Sequence, residues 1–223
     1  MRKWSVLLFL LVLVSVVAVA ESTERSFDWE YAGRSWSLEI PLSVTRYRFF
    51  RTQPRQLGHE NYTDYITDAR DDADIAHLVE RLGKLAADAG LNTWQRLNCV
   101  MAFVQSIPYE PEETEYPRYP LETLYEQRGD CEDTSILAAA ILRQMGFDVI
   151  LLAFTTEQHM AIGIAVTPPE CGDYQSYAWN GKDYYYLETT FSGWDFGQRP
   201  AGLASAPSIV GIQATSLASP QRR

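Results

Sequence analysis

Cys131, His159 and Glu188 follow one another at separations of 28 and 29 residues, and their side chains are the types needed for acyl chemistry through sulfur. Sulfur attacks a carbonyl as thiolate, so a catalytic cysteine needs surroundings that lower its pKa from about 8.5. Cys131 precedes a strongly apolar run, 135–145, that ends at Gly146. This pattern predicts a helix over 131–144 with the thiol in its first turn, where free N–H groups and the positive end of the helix dipole favour the anion. A base must then take the thiol proton. Of three histidines only His159 lies downstream, at the head of the apolar run 160–166. Glu188 closes another strand-type run, 184–187, from which its carboxylate can fix the imidazole tautomer. A helix start, a strand start and a strand end can all open on one edge of a sheet.

Each residue taken singly has a plainer role. Cys131 could be a structural thiol or pair with Cys171 in an oxidising compartment, His159 a strand-edge residue satisfied by solvent, and Glu188 a surface carboxylate, with Asp183 and Asp195 as reserve acids. Their order, each at an element terminus, strengthens the joint reading. Asp130, Glu132 and Asp133 flank the thiol, and like charges raise its pKa. They are expected either to turn away and cap the helix or to favour a cationic substrate such as a lysine side chain or peptide amine. An oxyanion would take the Cys131 backbone N–H and a second donor from among Gln105, Tyr109 and Tyr119.

Around these residues the chain supplies positioning elements. Phe27, Trp29 and Tyr31 alternate with polar neighbours, Gly33-Arg34 offers a turn, and Trp36, Leu38 and Ile40 resume the alternation; this predicts a hairpin with one buried face. The polar and aromatic stretch 45–65 reads as irregular, with one more strand around 47–51. Ile75, Leu78, Val79, Leu82, Leu85 and Ala86 follow the helical period, predicting a helix over 72–89 that stops at Gly90. Asp64, Asp68, Asp71, Asp72 and Asp74 lack the glycine and terminal Glu of a calcium loop, so they read as solvated helix capping. A second helix is expected over 93–105, with Cys99 a buried inert thiol. The proline-rich stretch 108–120 leads to an apolar segment at 121–127, and further strands are expected at 149–154, 160–166 and 184–187. The expected division is 1–20 as signal or anchor, 21–70 as hairpin and irregular segment, 71–215 as catalytic domain and 216–223 as a flexible tail.

With 46% apolar and 13% aromatic residues among 223, the chain can bury the core of one ordinary domain or two small ones, which excludes disorder and collagen-like repeats. A net charge of −10 with scattered Lys and Arg excludes nucleic acid as an expected partner. Three cysteines are too few for a disulfide scaffold. Arg2 and Lys3 precede the uncharged run 4–20, which closes with Ala18-Val19-Ala20 before Glu21, the layout of a secretory signal. As a helix the run reaches roughly 26 Å, a little short of the ~30 Å hydrocarbon core, so an uncleaved anchor is the alternative. Either places the domain outside the cytoplasm, with membrane contact only through this segment. Asn61-Tyr62-Thr63 is a glycosylation sequon.

The segments GDCEDTSILAAAILRQMGFDVILL, HMAIGIAV and YYYLETT resemble the transglutaminase-like superfamily of cysteine enzymes, especially its microbial, signal-bearing members, over roughly 91–194. The resemblance implies an α+β fold of papain-like type, with the nucleophile helix packed on an antiparallel sheet. It implies Cys131 as nucleophile, His159 as base and Glu188 as third member. The family usually places Asp in an Asp-Pro-Thr context there, so Glu188-Thr189-Thr190 departs from its pattern; Met160 stands where many members have a small or aromatic residue. Neither cofactor nor metal is implied. The expected function is a cysteine peptidase or amidase, secreted or membrane-anchored outside the cytoplasm, that cleaves an amide or isopeptide bond of a peptide or protein through an acyl-thioester. The alternatives are a cross-linking acyltransferase and a non-catalytic cell-surface binding module of the same fold. Nucleophile and base both standing in place favours an enzyme. Shielding a thioester from water needs an apolar tunnel, and one hairpin and two helices before the nucleophile offer little material to build it, so water is the expected acceptor.

Overall fold

The computed structural model describes residues 21–168 and 172–212. The predicted signal or anchor, Cys171 and the tail 216–223 lie outside the described residues. Strands β1 (Ser22–Tyr31) and β2 (Arg34–Ser43) pair antiparallel with Trp29 opposite Trp36 and Phe27 opposite Leu38. Ala32 and Gly33 both take positive φ, 52° and 70°, as a two-residue loop must to match the right-handed twist of the strands. The turn therefore falls one residue earlier than Gly33-Arg34. Alternation puts Phe27, Trp29, Trp36, Leu38 and Ile40 on one buried face.

The stretch 45–65 is neither irregular nor a strand. It holds helix α1 (Val44–Arg51), a 3-10 turn (His59–Asn61) and α2 (Tyr62–Ile66). Ser43 accepts a hydrogen bond from the Arg46 N–H and caps α1. Tyr47 and Phe50, three residues apart, share a helical face; their rings stack on Tyr125 at 3.8 Å and Tyr119 at 4.3 Å. Strand alternation would have sent them to opposite sides. At the sequon, the Asn61 amide donates to the Leu57 carbonyl at 2.7 Å.

Helices α3 (Asp72–Asp88), α4 (Thr93–Gln105) and α6 (Cys131–Gln144) stand where the sequence predicts, and the apolar segment at 121–127 forms a further helix, α5 (Pro120–Glu126), started by Pro120. A reciprocal capping box between Asn92 and Gln95 starts α4. The acidic group beside α3 is only partly solvated. Asp74 is buried and takes a two-pronged ion pair from Arg46. Asp71 is buried, accepts the Leu121 N–H at 3.3 Å, and is pushed up to about 8 by that burial. These two carboxylates join α3 to α1 and α5 instead of facing water, and no metal-binding group of His, Cys, Asp or Glu forms among the described residues.

The sheet contains β3 (Asp148–Phe154), β4 (His159–Ala165), β5 (Ser176–Trp179), β6 (Lys182–Leu187) and β7 (Ser208–Gly211), in the order β5-β6-β4-β3-β7, with every pair antiparallel. Two four-residue edge strands, β5 and β7, are too short for their alternation to stand out in the sequence. Helix α6 lies on β3 and β4, and its run Ile136 to Leu142 is buried all round because α2, α3, α4 and α5 cover its outer side. The opposite sheet face carries a second cluster with Ile150, Leu152, Phe154, Ala161, Tyr184 and Tyr186. Gly163 permits that packing, since a Cβ there would meet Ile150 at 2.9 Å and Tyr184 at 3.0 Å. The architecture is α+β, with helix α6, which carries Cys131, packed on an antiparallel sheet and an N-terminal hairpin. Among the described residues no helix is long and apolar enough to cross a membrane.

Phe103 of α4 meets Phe27 and Trp29 edge-on at ring distances of 5.3 and 5.4 Å, which ties the hairpin to the helices. Phe103→Ala is expected to cost about 3–5 kcal/mol in urea unfolding; a loss under about 1 kcal/mol would show that the hairpin is not held this way.

Candidate active site

The end of α6 that carries Cys131 is pinned from several sides. Gly129 pairs with Tyr109 in a parallel bridge, and its N–H donates to the Pro108 carbonyl at 3.2 Å. A Cβ on Gly129 would lie 2.7 Å from the Asp133 Cβ, so only glycine fits there. Asp130 and Asp133 form a reciprocal capping box. Asp133 also accepts the Arg118 backbone N–H at 2.7 Å and pairs with its guanidinium, which in turn meets Glu112 and Glu126. Burial and Asp130 push the Asp133 carboxyl up to about 7, against the pull of Arg118.

The thiol itself is 7% exposed. Its Sγ lies 3.3 Å from Glu132 Oε2 and 3.9 Å from the Gln158 carbonyl oxygen, two acceptors that suit a protonated S–H. Burial first, then the Glu132 and Asp130 charges, push the thiol well above its ordinary range, while the Met160 backbone N–H pulls the other way. Asp130 and Asp133 thus cap the helix as the sequence suggests, but Glu132 does not turn away.

Strand register positions the other two residues. His159 opens β4 opposite Phe154, and Glu188 follows the last residue of β6, beside β4. His159 Nε2 meets Glu188 Oε2 at 3.0 Å. Glu188 is 1% exposed; burial raises its carboxyl, but hydrogen bonds from His159, Tyr186 and Thr190 outweigh this and hold it below the usual range. An ionised carboxylate only accepts, so the proton rests on Nε2 and leaves Nδ1 as the acceptor. Thr189 then fastens this turn to α6, its hydroxyl 3.1 Å from that of Thr134 and 3.0 Å from that of Ser135.

The structure therefore brings His159 and Glu188 into contact and sets Cys131 against Gln158, the residue before the histidine. Asp183 and Asp195, the reserve acids, are exposed. Cys99 is buried, its thiol raised mainly by that burial, and Cys131 is free of any disulfide among the described residues. Of the three oxyanion candidates, Gln105 donates its amide to the Glu188 and Trp194 carbonyls, and Tyr119 belongs to the aromatic stack with Phe50 and Tyr65. Tyr109 alone keeps its hydroxyl near the site, raised by burial and by Cys131, Asp130 and Glu132. Its ring lies 5.1 Å from that of Phe191, and both are exposed, at 40% and 60%. Sequence reasoning overlooked Tyr186, Thr189 and Thr190, although Tyr186 and Glu188 have the two-residue spacing of one strand face. A cavity of about 920 Å³ lies at the far end of α6, lined by Arg143, Phe147 and Trp179 among others, and includes none of these residues.

Glu132→Gln removes the charge nearest Sγ and is expected to raise the rate of Cys131 alkylation by iodoacetamide at neutral pH about 10-fold, with Cys99 slow in both proteins. An unchanged rate would remove Glu132 from control of the thiol.

A family model described as the transglutaminase-like superfamily matches residues 81–189, a span that includes Cys131, His159 and Glu188. No curated protein matches the chain. Among solved structures, similarity extends to a candidate cysteine protease from Cytophaga hutchinsonii, at 15% identity over 85% of this chain and 71% of that one, with a TM-score of 0.40. A TGase is similar at 12% identity over 82% of this chain and 47% of its own, with a TM-score of 0.39. A candidate protease from Parabacteroides distasonis is similar at 13% identity, 86% and 39%, with a TM-score of 0.41. The chain thus spans less than half the length of the latter two. Residues 81–189, just under half of the chain, are thus similar to the transglutaminase-like superfamily.

Proposed function

We propose that the protein is a cysteine peptidase or amidase working outside the cytoplasm, with Cys131 as nucleophile, His159 as general base and Glu188 as the residue that orients the imidazole. The observation that carries this reading is the buried Glu188 bonded to His159 Nε2 at 3.0 Å, at the sheet end where α6 brings its first-turn thiol against Gln158. The polar and apolar layout of residues 1–20 supports the location.

In the first step His159 Nδ1 accepts the thiol proton while Sγ bonds to the acyl carbon of an amide or isopeptide. The developing oxyanion takes the Cys131 backbone N–H at the positive end of α6. The imidazolium, held by Glu188, returns its proton to the leaving nitrogen as the C–N bond breaks, and an amine departs. Water, deprotonated by the same nitrogen, then attacks the thioester; the acid leaves and the thiol is restored. The exposure of Tyr109 and Phe191 beside the site favours hydrolysis, because an open approach gives water access to the thioester.

The Glu132 carboxylate so close to Sγ favours a second reading, transfer to an amine, since an acid beside the thioester attracts a cationic acceptor. To separate the two, the protein is incubated with a glutamine-bearing protein and a labelled primary amine. Release of ammonia or of a new amino terminus faster than label incorporation, abolished by Cys131→Ala, is the expected result; faster incorporation replaces hydrolase by transferase. Glu188→Gln is expected to lower turnover by about 10- to 1000-fold with the fold intact, and Glu188→Asp by less. Full activity of Glu188→Gln would take the residue out of the site.

A further inference from the structure

The Glu188 carboxylate is bonded at both oxygens. Oε1 accepts from the Thr189 N–H at 3.0 Å, the Thr190 N–H at 3.1 Å and the Thr190 hydroxyl at 2.8 Å. Oε2 accepts from His159 and, at 2.6 Å, from the hydroxyl of Tyr186. Tyr186 is fully buried, and its ring meets Phe154 edge-on at 6.2 Å, so the hydroxyl has little freedom to swing away. The remaining groups around it are Tyr177 of β5 and Arg199, whose guanidinium donates to the Tyr177 hydroxyl at 3.1 Å. Glu188 is the only carboxylate the Tyr186 hydroxyl bonds among the described residues.

A glutamate has one more rotatable bond than an aspartate, so its carboxylate needs more restraint to aim at one ring nitrogen. The Oε1 donors all come from Glu188's own turn, and a rotation about the last side-chain bond would exchange the two oxygens. Tyr186 opposes that exchange from a different element of the chain, two residues back on the strand. We propose that Tyr186 is a positioning residue of the Cys131 site: its hydroxyl fixes Glu188 Oε2 toward His159 Nε2, so that the imidazole keeps its other nitrogen for the thiol. This rests on the triad reading above, and it adds a fourth, buried member that acts through Glu188 without touching substrate.

The test needs no substrate. Alkylation of Cys131 by iodoacetamide, followed by mass spectrometry from about pH 5 to 9, reports the thiolate that His159 and Glu188 support. Tyr186→Phe keeps the ring and its packing. It is expected to slow alkylation at neutral pH about 10-fold and to move the acid limb of the profile upward by about one unit, because Glu188 loses a donor to its charged form. In a Glu188→Asp background the shorter acid no longer reaches the hydroxyl, so Tyr186→Phe is expected to change the rate by less than about 2-fold. An unaltered rate and limb in Tyr186→Phe overturns the proposal, as does a slower rate with an unmoved limb, which a purely structural role would give. His159→Ala is the separate control. If it leaves Cys131 alkylation unchanged, the triad reading itself fails; if it slows alkylation while Tyr186→Phe does nothing, only the role of Tyr186 falls.

Discussion

The site depends on one buried contact more than on any other, the Thr189 hydroxyl shared between Thr134 and Ser135 of α6. Cys131 belongs to the helix, whereas His159 opens β4 and Glu188 follows the end of β6. Nothing local to either element sets the distance between them. The three hydroxyls do so, because each has its partner in a place where an unpaired one would cost about 1–3 kcal/mol. Thr134 also bonds the Asp130 carbonyl at 2.8 Å, so the same network reaches the cap of the helix. A slide of α6 along the sheet breaks several of these bonds together, which makes the arrangement stiff.

Electrostatics in the site run against the usual preparation of a thiolate. A helix terminus favours the anion, yet Asp130 and Glu132 stand in the same turn and the thiol is driven up. The cap explains part of this, since an acid is the ordinary means of satisfying the first free N–H groups of a helix. Arg118 explains another part. Its buried guanidinium offsets Asp133, Glu112 and Glu126, but among the described residues no cation is bonded to Glu132. The resting protein therefore holds its sulfur as a thiol, and reactivity follows from what approaches it. On the proposed location outside the cytoplasm, such restraint would limit wasteful oxidation of the thiol.

Much of this was legible in the residues because strong periodic signals have few competing explanations. Helices α3, α4 and α6 carry long apolar stripes and clear stops, and β3, β4 and β6 are apolar runs beside turn-forming residues. Helix α1 was misread because its aromatic side chains fit either a short strand or a helix, and the choice is made by Tyr119, Tyr125 and Asp74, which are remote in sequence. The buried roles of Asp71 and Asp74 were hidden for the same reason, since a carboxylate paired across tens of residues has the local sequence of a solvated one. The threonines after Glu188 carry no pattern of their own until the strand end is seen turning toward α6.

The hairpin has a bearing on where this domain begins. Phe27, Trp29, Leu97, Phe103 and the buried residues of α6 belong to one continuous cluster, although the matched family segment starts only at residue 81. A fragment cut to that segment would leave Phe103 and its neighbours bare to water and would strip α3 of its first half, residues 72–80. Unfolding should accordingly be all-or-none from β1 to the sheet, and protection of α4 amides from hydrogen exchange should rise and fall with that of β1.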